Sequence, residues 1–176
     1  MLCKKMETQS YFLAYVALGG NIGNTKEIFA QVIQKLKGDV HIKEFFCSSI
    51  YLTTPVGNSH QDNFYNAVCH FLTSYHPHEL LEVLQKIERS LGKMEKPKTA
   101  PRIIDLDILF FENSVLNTEN LTIPHPRWKE RLFVLVPLAE ITKQVTVIEE
   151  NLVKTIVIKD LIDNFVNYHN EIVIKV

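Results

Sequence analysis

The chain has 176 residues, of which 46% are hydrophobic and 22% charged, and its formal net charge is -1. These values are ordinary for one globular domain and exclude a disordered, collagen-like or coiled-coil chain. The balanced charge gives no overall attraction to nucleic acid or to anionic membranes. We expect a single domain over 1–176, with 1–10 a flexible N-terminal extension.

The cysteines and the first apolar segment predict where the protein resides. Cys3, Cys47 and Cys69 form no C-x-x-C pair and leave one thiol unpaired under any scheme, which favours a reducing compartment. The apolar run Tyr11 to Leu18 is shorter than a membrane span, and no clear small-residue cleavage site follows it. The sequence therefore predicts a cytoplasmic protein.

The first third of the chain predicts a strand, a helix and a second strand. Tyr11 to Leu18 is typical of a core strand that ends at glycines, and Asn24 is typical of the N-cap of a helix that ends at Gly38. Val40 to Leu52 is rich in β-branched and aromatic residues and predicts one strand. Thr53 to Gln61 carries proline, glycine and asparagine and predicts a loop.

The middle of the chain repeats this alternation. Asn63 to Leu72 predicts a strand, and apolar residues at helical spacing predict a helix from Pro77 to Gly92. Lys93 to Pro101 reads as a loop, and Ile103 to Phe111 as an apolar strand. The order β-α-β-β-α-β predicts an α+β fold of the ferredoxin-like pattern, with a mainly antiparallel sheet and helices packed against it.

The last third predicts smaller elements. The segment around His125, which has a proline on each side, cannot continue regular structure. Trp128 to Ile141 predicts one or two short helices, and a hairpin is expected around Glu149 to Asn151. A short helix near Leu161 and a strand over Glu171 to Val176 complete the prediction.

An acidic pair interrupts the most apolar predicted strand. Asp105 and Asp107 are separated by one residue, so both side chains face the same way, about 7 Å apart at the α-carbons. A bare D-x-D is more often a solvated strand face. Here the rest of the strand is apolar on both faces, and two carboxylates in such a strand are costly unless they are used. The pair predicts a site for magnesium, which prefers oxygen ligands.

Basic residues flank the acidic pair on both sides. They are Lys93, Lys96, Lys98 and Arg102 upstream, and His125, Arg127, Lys129 and Arg131 downstream. Carboxylates between basic groups indicate a polyphosphate bridged to the protein by metal. Lys96 and Lys98 are equally typical of a solvated loop, so Arg102, three residues before Asp105, is the stronger candidate.

Other candidate residues carry weaker signals. Phe64 and Asn66 lie on one strand face, where a ring beside an amide suits a flat heterocycle, although Phe is usually core. The glycine-rich stretch Gly19 to Gly23 matches neither common phosphate-loop motif, so a tight turn that positions Asn21 is the better interpretation. Glu88 near the apolar stripe of its helix is either a nucleotide contact or a surface glutamate.

Several short segments, taken together, carry a resemblance to a known family. They are Ala17–Asn21, Tyr51–Gly57, Asn63–Ala67, Ile87–Glu88, Leu91–Gly92, Ala100–Ile108, Leu121–Pro126 and Arg131–Phe133. The segments P-R-x-x-D-L-D-I and L-T-I-P-H-P are the most specific. In uninterrupted order over roughly residues 11 to 141, they resemble the 6-hydroxymethyl-7,8-dihydropterin pyrophosphokinases of folate biosynthesis. The resemblance implies a three-layer α/β/α form of the ferredoxin-like pattern.

The resemblance also implies a role for each matching residue. Asp105 and Asp107 would bind two magnesium ions along the triphosphate of the co-substrate ATP. The catalytic and phosphate-contacting residues would be Arg102, Lys93, His125 and Arg131, and the ATP site would add Gln85, Glu88, Ile108 and Thr122. The pterin site would comprise Asn21, Thr53, Thr54, Val56, Phe64, Asn66 and Phe133, with the two phenylalanines sandwiching the ring.

The chain departs from the family pattern at two places. Lys93 stands where arginine is common, so a fork-shaped phosphate contact becomes a point charge. The stretch Lys98 to Pro101 lacks the aromatic residue that one family member has before its G-P-R segment. We expect the loop Lys93 to Pro101 to close over the substrates and exclude water.

The implied reaction transfers the β,γ-diphosphate of ATP to the pterin hydroxymethyl oxygen and releases AMP. The expected partners are therefore these two small molecules, and we expect the chain to act as a monomer. Two alternatives remain. A D-x-D nucleotidyltransferase on a ferredoxin-like fold would need a nucleotide or nucleic-acid acceptor and a basic groove. A non-catalytic ligand-binding module would tolerate Asp105→Asn and Asp107→Asn with little loss.

Overall fold

The computed structural model describes residues 10–54, 62–93, 102–166 and 173–176. Its strands are β1 (Phe12–Gly20), β2 (Ile42–Cys47), β3 (Tyr51–Thr53), β4 (Phe64–Thr73), β5 (Asp105–Phe111), β6 (Leu116–Asn117), β7 (Thr122–Ile123), β8 (Gln144–Glu149), β9 (Leu152–Val157) and β10 (Val173–Lys175). Its α-helices are α1 (Thr25–Lys37), α2 (Pro77–Ser90), α3 (Leu132–Ile141) and α4 (Ile158–Val166). The extension predicted over 1–10 lies outside the described residues except for Ser10.

The main sheet is antiparallel at every described pairing. Its strand order is β10-β3-β4-β1-β5, and β2 pairs with the same edge of β4 as β3, farther along that strand. Two small antiparallel ribbons, β6-β7 and β8-β9, accompany it. Helices mixed with an antiparallel sheet confirm the predicted α+β class.

The single strand predicted over Val40 to Leu52 is wrong, because the chain forms β2 and β3 with a break between them. The Ser48 hydroxyl accepts the backbone N–H of Val68 at 3.0 Å, while the Ser48 N–H donates to the Val68 carbonyl at 2.9 Å. A side chain thus replaces one backbone ladder bond, and regular pairing stops there. Both parts of the stretch form strands, as their β propensity predicts, but propensity does not reveal such an interruption.

Alternating residues of the central strands supply two separate cores. On one face, Val16 of β1 and Leu106 of β5 pack with α1 and α2 residues such as Phe29 and Leu84. On the other face, a second buried cluster joins β4 and β5 to the C-terminal elements; its members include Val68, Leu109, Trp128, Leu135, Val145 and Ile158. The sheet therefore carries a buried apolar cluster on each of its two faces.

The predicted helix starts are confirmed. The Asn24 side chain accepts the N–H of Glu27 and caps α1, and α2 begins at Pro77. Across the described ranges, no helix is both long enough and apolar enough to span a bilayer.

Close backbone packing holds the segment before β5 against the end of β1. A β-carbon on Gly20 would lie 2.5 Å from the carbonyl oxygen of Ile103. β5 begins at Asp105, two residues later than the sequence predicted. Only glycine permits this approach, which brings the start of β5 next to the end of β1.

Candidate active site

The two aspartates predicted to hold metal begin β5 at the sheet edge. Asp105 and Asp107 pair with Gly19 and Ala17 of β1 in regular register, so both carboxylates lie on one face. The side chain of Asp105 is 19% exposed and that of Asp107 is 50% exposed. One carboxylate is therefore partly enclosed, whereas the other opens to solvent.

Basic side chains bind the enclosed carboxylate. Lys93 Nζ lies 2.7 Å from Asp105 Oδ1, and Arg102 Nη1 is paired with Asp105 Oδ2. Burial alone would lower the pKa of Lys93, but the carboxylates of Asp105 and Glu88 outweigh it and raise the pKa. Lys93 is thus charged, and it lies with Arg102 where the triphosphate was predicted to bind.

Glu88 is buried, with 4% of its surface exposed, so the surface interpretation of this residue is wrong. Its Oε1 accepts the backbone N–H of Leu106 at 2.7 Å and the Lys93 ammonium at 2.8 Å. Burial raises the pKa of Glu88, and the hydrogen bonds from Lys93 and Leu106 partly offset that rise. Neither partner is evident from the sequence, since Lys93 follows the end of α2 and Leu106 lies on β5.

Asn21 positions Arg102 through the backbone. The Asn21 N–H donates to the Arg102 carbonyl, and the Arg102 N–H donates to Asn21 Oδ1, both at 2.9 Å. This reciprocal pair fixes the chain three residues before Asp105. The turn role expected for Asn21 fits this arrangement, and it connects the predicted pterin side of the site to the phosphate side.

A second basic group lies beside Asp107. Arg131 Nη1 is 3.7 Å from Asp107 Oδ2 and 3.4 Å from His125 Nε2. The backbone N–H of Arg127 donates to His125 Nδ1 at 3.2 Å. A guanidinium can only donate, so the Arg131 contact needs Nε2 as the acceptor, whereas the Arg127 contact needs Nδ1; a neutral imidazole has one acceptor nitrogen and satisfies one of the two at a time. Burial, with the Arg131 charge, lowers the pKa of His125.

A cleft opens next to Asp107 and His125. It is lined by Leu81, Leu106, Asp107, Ile108, Glu119, Asn120, Leu121, Thr122, His125 and Pro126. Ile108 and Thr122, both predicted nucleotide contacts, are therefore brought together, and Gln85 follows Leu81 by one helical turn on α2. Sequence reasoning missed Leu81, Glu119 and Asn120, which carry no motif of their own.

Four of the predicted pterin residues, Thr53, Thr54, Phe64 and Asn66, lie on or beside the β3-β4 pair. Asn66 is 5% exposed, and its amide donates to the Thr53 hydroxyl at 2.8 Å. Phe64 pairs with Thr53 across the two strands, and Thr54 follows Thr53 directly. Val56 lies outside the described residues. These neighbours form a polar, enclosed corner beside an aromatic ring.

Phe133 lies on a different element from this corner. It occupies the first turn of α3, and the Arg131 guanidinium carbon is 5.7 Å from the centre of its ring. Phe133 is half-buried against the second core cluster. The helix start thus places a phosphate-binding candidate and a ring-binding candidate two residues apart.

The donor set suits a hard cation bound jointly with phosphate. Within the described ranges, no group of three or more His, Cys, Asp or Glu side chains could hold a metal ion. The two oxygen-donor side chains of Asp105 and Asp107 remain, and magnesium usually takes one or two carboxylates and completes its shell with phosphate and water. The residues present therefore fit magnesium, provided that the basic groups on Asp105 give way.

Comparisons with known proteins place these features in a family context. Residues 15–143 match the model of the 7,8-dihydro-6-hydroxymethylpterin-pyrophosphokinase family. The 2-amino-4-hydroxy-6-hydroxymethyldihydropteridine pyrophosphokinase of Bacillus subtilis is 46% identical over 133 residues, which is 76% of this chain and 80% of that protein. The enzyme of the same name from Methylorubrum extorquens is 40% identical over 134 residues, 76% of this chain and 85% of its own length.

The fold has solved counterparts. The crystal structure of wild-type HPPK-DHPS from Plasmodium falciparum with pteroate superposes with a TM-score of 0.69 at 16% sequence identity. The match covers 90% of this chain and 45% of that longer one. At this identity the likeness concerns the fold alone.

Proposed function

We propose that this chain, which belongs to the 7,8-dihydro-6-hydroxymethylpterin-pyrophosphokinase family, transfers diphosphate from ATP to 6-hydroxymethyl-7,8-dihydropterin in folate biosynthesis. One observation carries the proposal: Asp105 and Asp107 share a strand face that borders a cleft, with basic side chains on both. This arrangement suits a polyanion held between carboxylate-bound cations and protein cations.

The bond changes follow from the two substrates. The pterin hydroxymethyl oxygen attacks the β-phosphorus of ATP and loses its proton to solvent. The bond between the β-phosphorus and the oxygen that bridges to the α-phosphorus breaks, and AMP leaves with that oxygen. The protein's contribution is alignment of the hydroxyl with the β-phosphorus and stabilisation of the charge that moves to the leaving oxygen.

ATP would lie with its nucleoside in the cleft and its phosphates over β5. Ile108 and Thr122 line that cleft, and Gln85 is one turn from it. Arg102 and Lys93 lie at one end of the carboxylate pair, while His125 and Arg131 lie at the other. The four form a clamp of nitrogen donors around the phosphates.

The proposed cofactor is magnesium, two ions held by Asp105 and Asp107. When bound, the ions would neutralise the triphosphate and make the β-phosphorus more electrophilic. The support is the donor set, since the half-exposed carboxylate of Asp107 leaves room for ligands from phosphate and water.

The pterin would bind in the corner between β3 and β4. A buried amide such as that of Asn66 both donates and accepts, which matches the edge of a pterin ring. Phe64 and Phe133 would cover the faces of the ring, with Asn21, Thr53, Thr54 and Val56 completing the pocket.

We also propose that the architecture is the three-layer α/β/α form of the ferredoxin-like pattern. The strand order, with β1 between β4 and β5, and the two cores on opposite sheet faces support this description. Closure of the loop from Lys93 to Pro101 stays a prediction, because 94–101 lie outside the described residues.

The test is an incubation with the pterin, ATP and magnesium in which AMP and ADP are separated. We expect pterin-dependent AMP that disappears without magnesium. Asp105→Asn and Asp107→Asn should abolish nearly all of it, whereas Asp160→Asn, at an exposed position of α4, should not. ADP as the product would instead indicate an ordinary kinase, and full activity in both aspartate variants would refute the metal assignment.

A further inference from the structure

Glu88 joins the second helix to the centre of the metal-carboxylate strand. It lies in the last turn of α2, and its buried Oε1 bonds to the N–H of Leu106, the residue between Asp105 and Asp107. The same oxygen bonds to the Lys93 ammonium, which also contacts Asp105. Oε1 of Glu88 therefore contacts both the backbone between the two aspartates and the ammonium group that pairs with Asp105.

The carboxylate of Glu88 is almost fully buried, so the cost of its burial has to be offset. A glutamate with 4% exposure is costly unless its carboxylate is satisfied by strong hydrogen bonds. The first-strand partner of Leu106 is Leu18, and the side chain of Leu106 packs in the core. Pairing with Leu18 and packing in the core already hold Leu106 in place. The hydrogen bond from the Leu106 N–H to Glu88 on α2 holds it further. It therefore restricts rotation of the strand at the point where both aspartates project.

Lys93 gives this link a second consequence. A lysine has one nitrogen with three donors, and here that nitrogen lies 2.8 Å from Glu88 and 2.7 Å from Asp105. A cation that binds Asp105 must displace the ammonium from it. Glu88 is the carboxylate that then retains Lys93 beside the site.

We propose that Glu88 is a positioning residue that sets the geometry of the Asp105–Asp107 pair through the Leu106 amide and holds Lys93 within reach of Asp105. The inference rests on the proposed function, because it takes these aspartates to be the metal ligands. Glu88 itself acts through other groups and need not touch substrate or metal.

The experiment compares Glu88→Gln and Glu88→Ala in the full chain. The first readout is Mn²⁺ binding, followed by electron paramagnetic resonance in the presence of a non-hydrolysable ATP analogue. The second is hydrogen exchange at the Leu106 amide. Glu82→Gln and Glu82→Ala are matched controls, since Glu82 lies on the same helix with 70% of its side chain exposed. Thermal unfolding reports whether each variant is folded.

Glutamine retains an oxygen that can accept the Leu106 N–H, whereas alanine does not. We expect Mn²⁺ affinity to fall about tenfold in Glu88→Ala and clearly less in Glu88→Gln, the size expected for loss of a hydrogen bond to a charged group. Leu106 exchange should rise about tenfold in the alanine variant and stay within about twofold in the glutamine variant. Both Glu82 variants should match the unmodified protein.

Two outcomes would overturn the inference. Equal losses of affinity in the glutamine and alanine variants would show that Glu88 acts through its charge alone, and unchanged Leu106 exchange would show that the bond does not restrain the strand. Asp105→Asn separates this from failure of the proposed metal site. If Mn²⁺ affinity is unchanged in Asp105→Asn, Asp105 is not a ligand and the inference fails together with the metal assignment, whereas pterin-dependent AMP formation tests the proposed function independently.

Discussion

The close approach of Gly20 to Ile103 makes a demanding prediction. In Gly20→Ala the new methyl group would lie 2.5 Å from the Ile103 carbonyl oxygen, 3.3 Å from its carbonyl carbon and 3.2 Å from a methyl of Thr25. A backbone oxygen cannot rotate away as a side chain can, so β1 or the chain before β5 must shift. Overpacking of this kind costs about 1–3 kcal/mol, and we expect about 2 kcal/mol because a backbone group is displaced.

The assay is thermal unfolding at matched protein concentration. For a domain of this size, 1 kcal/mol lowers Tm by about 2–4 °C, so Gly20→Ala should lower it by about 4–8 °C. Pterin-dependent AMP formation should fall as well, since the displaced segment carries Arg102. Gly38→Ala is the control. Its added methyl group would lie 3.3 Å from the nearest atom, the carbonyl oxygen of Gln34, and the φ of -83° at Gly38 suits alanine.

Gly38→Ala should leave stability within about 0.5 kcal/mol of the unmodified protein. The reasoning fails if Gly20→Ala melts within about 1 °C of Gly38→Ala. It also fails if Gly20→Ala loses stability but forms AMP at the full rate, because the packing would then not position the site.

Two further predictions concern other parts of the molecule. Burial alone would raise the pKa of Glu140, but hydrogen bonds from Ser49, Lys175 and Tyr51 lower it to about 2. A lowered pKa stabilises the fold above the ordinary value near 4.5, and this stability is lost as pH falls from there towards 2. The Glu140 side chain is 30% exposed, so solvent screens these interactions. We expect Glu140→Gln to lower the free energy of unfolding, measured in urea, by about 1 kcal/mol at pH 7 and by much less at pH 3. Equal losses at the two pH values would contradict this. Asn66→Leu should raise KM for the pterin about tenfold and leave KM for ATP unchanged, as steady-state kinetics can test; equal increases in both would place Asn66 outside the pterin site.

The sequence predicted the elements whose signals are local. Asn24 caps α1 and Pro77 begins α2 as expected, because capping depends on residues within one turn. The apolar strand with its two aspartates was also visible, since side-chain alternation requires no knowledge of neighbours. A pattern within one element therefore sufficed for most of the fold.

What the sequence could not predict depends on distant partners. Glu88 was ambiguous because its bonds run to Lys93 and to Leu106 on another element. The break at Ser48 depends on Val68, and the ribbon of β6 and β7 is too short to leave a period. Glu119 and Asn120 line the cleft only because that ribbon bends the chain back towards β5.

The pairing of β10 with β3 has a consequence for synthesis of the protein. Val173 to Lys175 bond to Tyr51 to Thr53, so most of the chain separates the two partners. During translation β3 emerges from the ribosome long before β10 is synthesised. Until β10 pairs with it, the outer edge of β3 would offer unpaired backbone groups to any other extended peptide. We expect nascent chains to be vulnerable to strand-to-strand aggregation during this interval, and a chaperone that covers exposed edges would raise the yield of active protein.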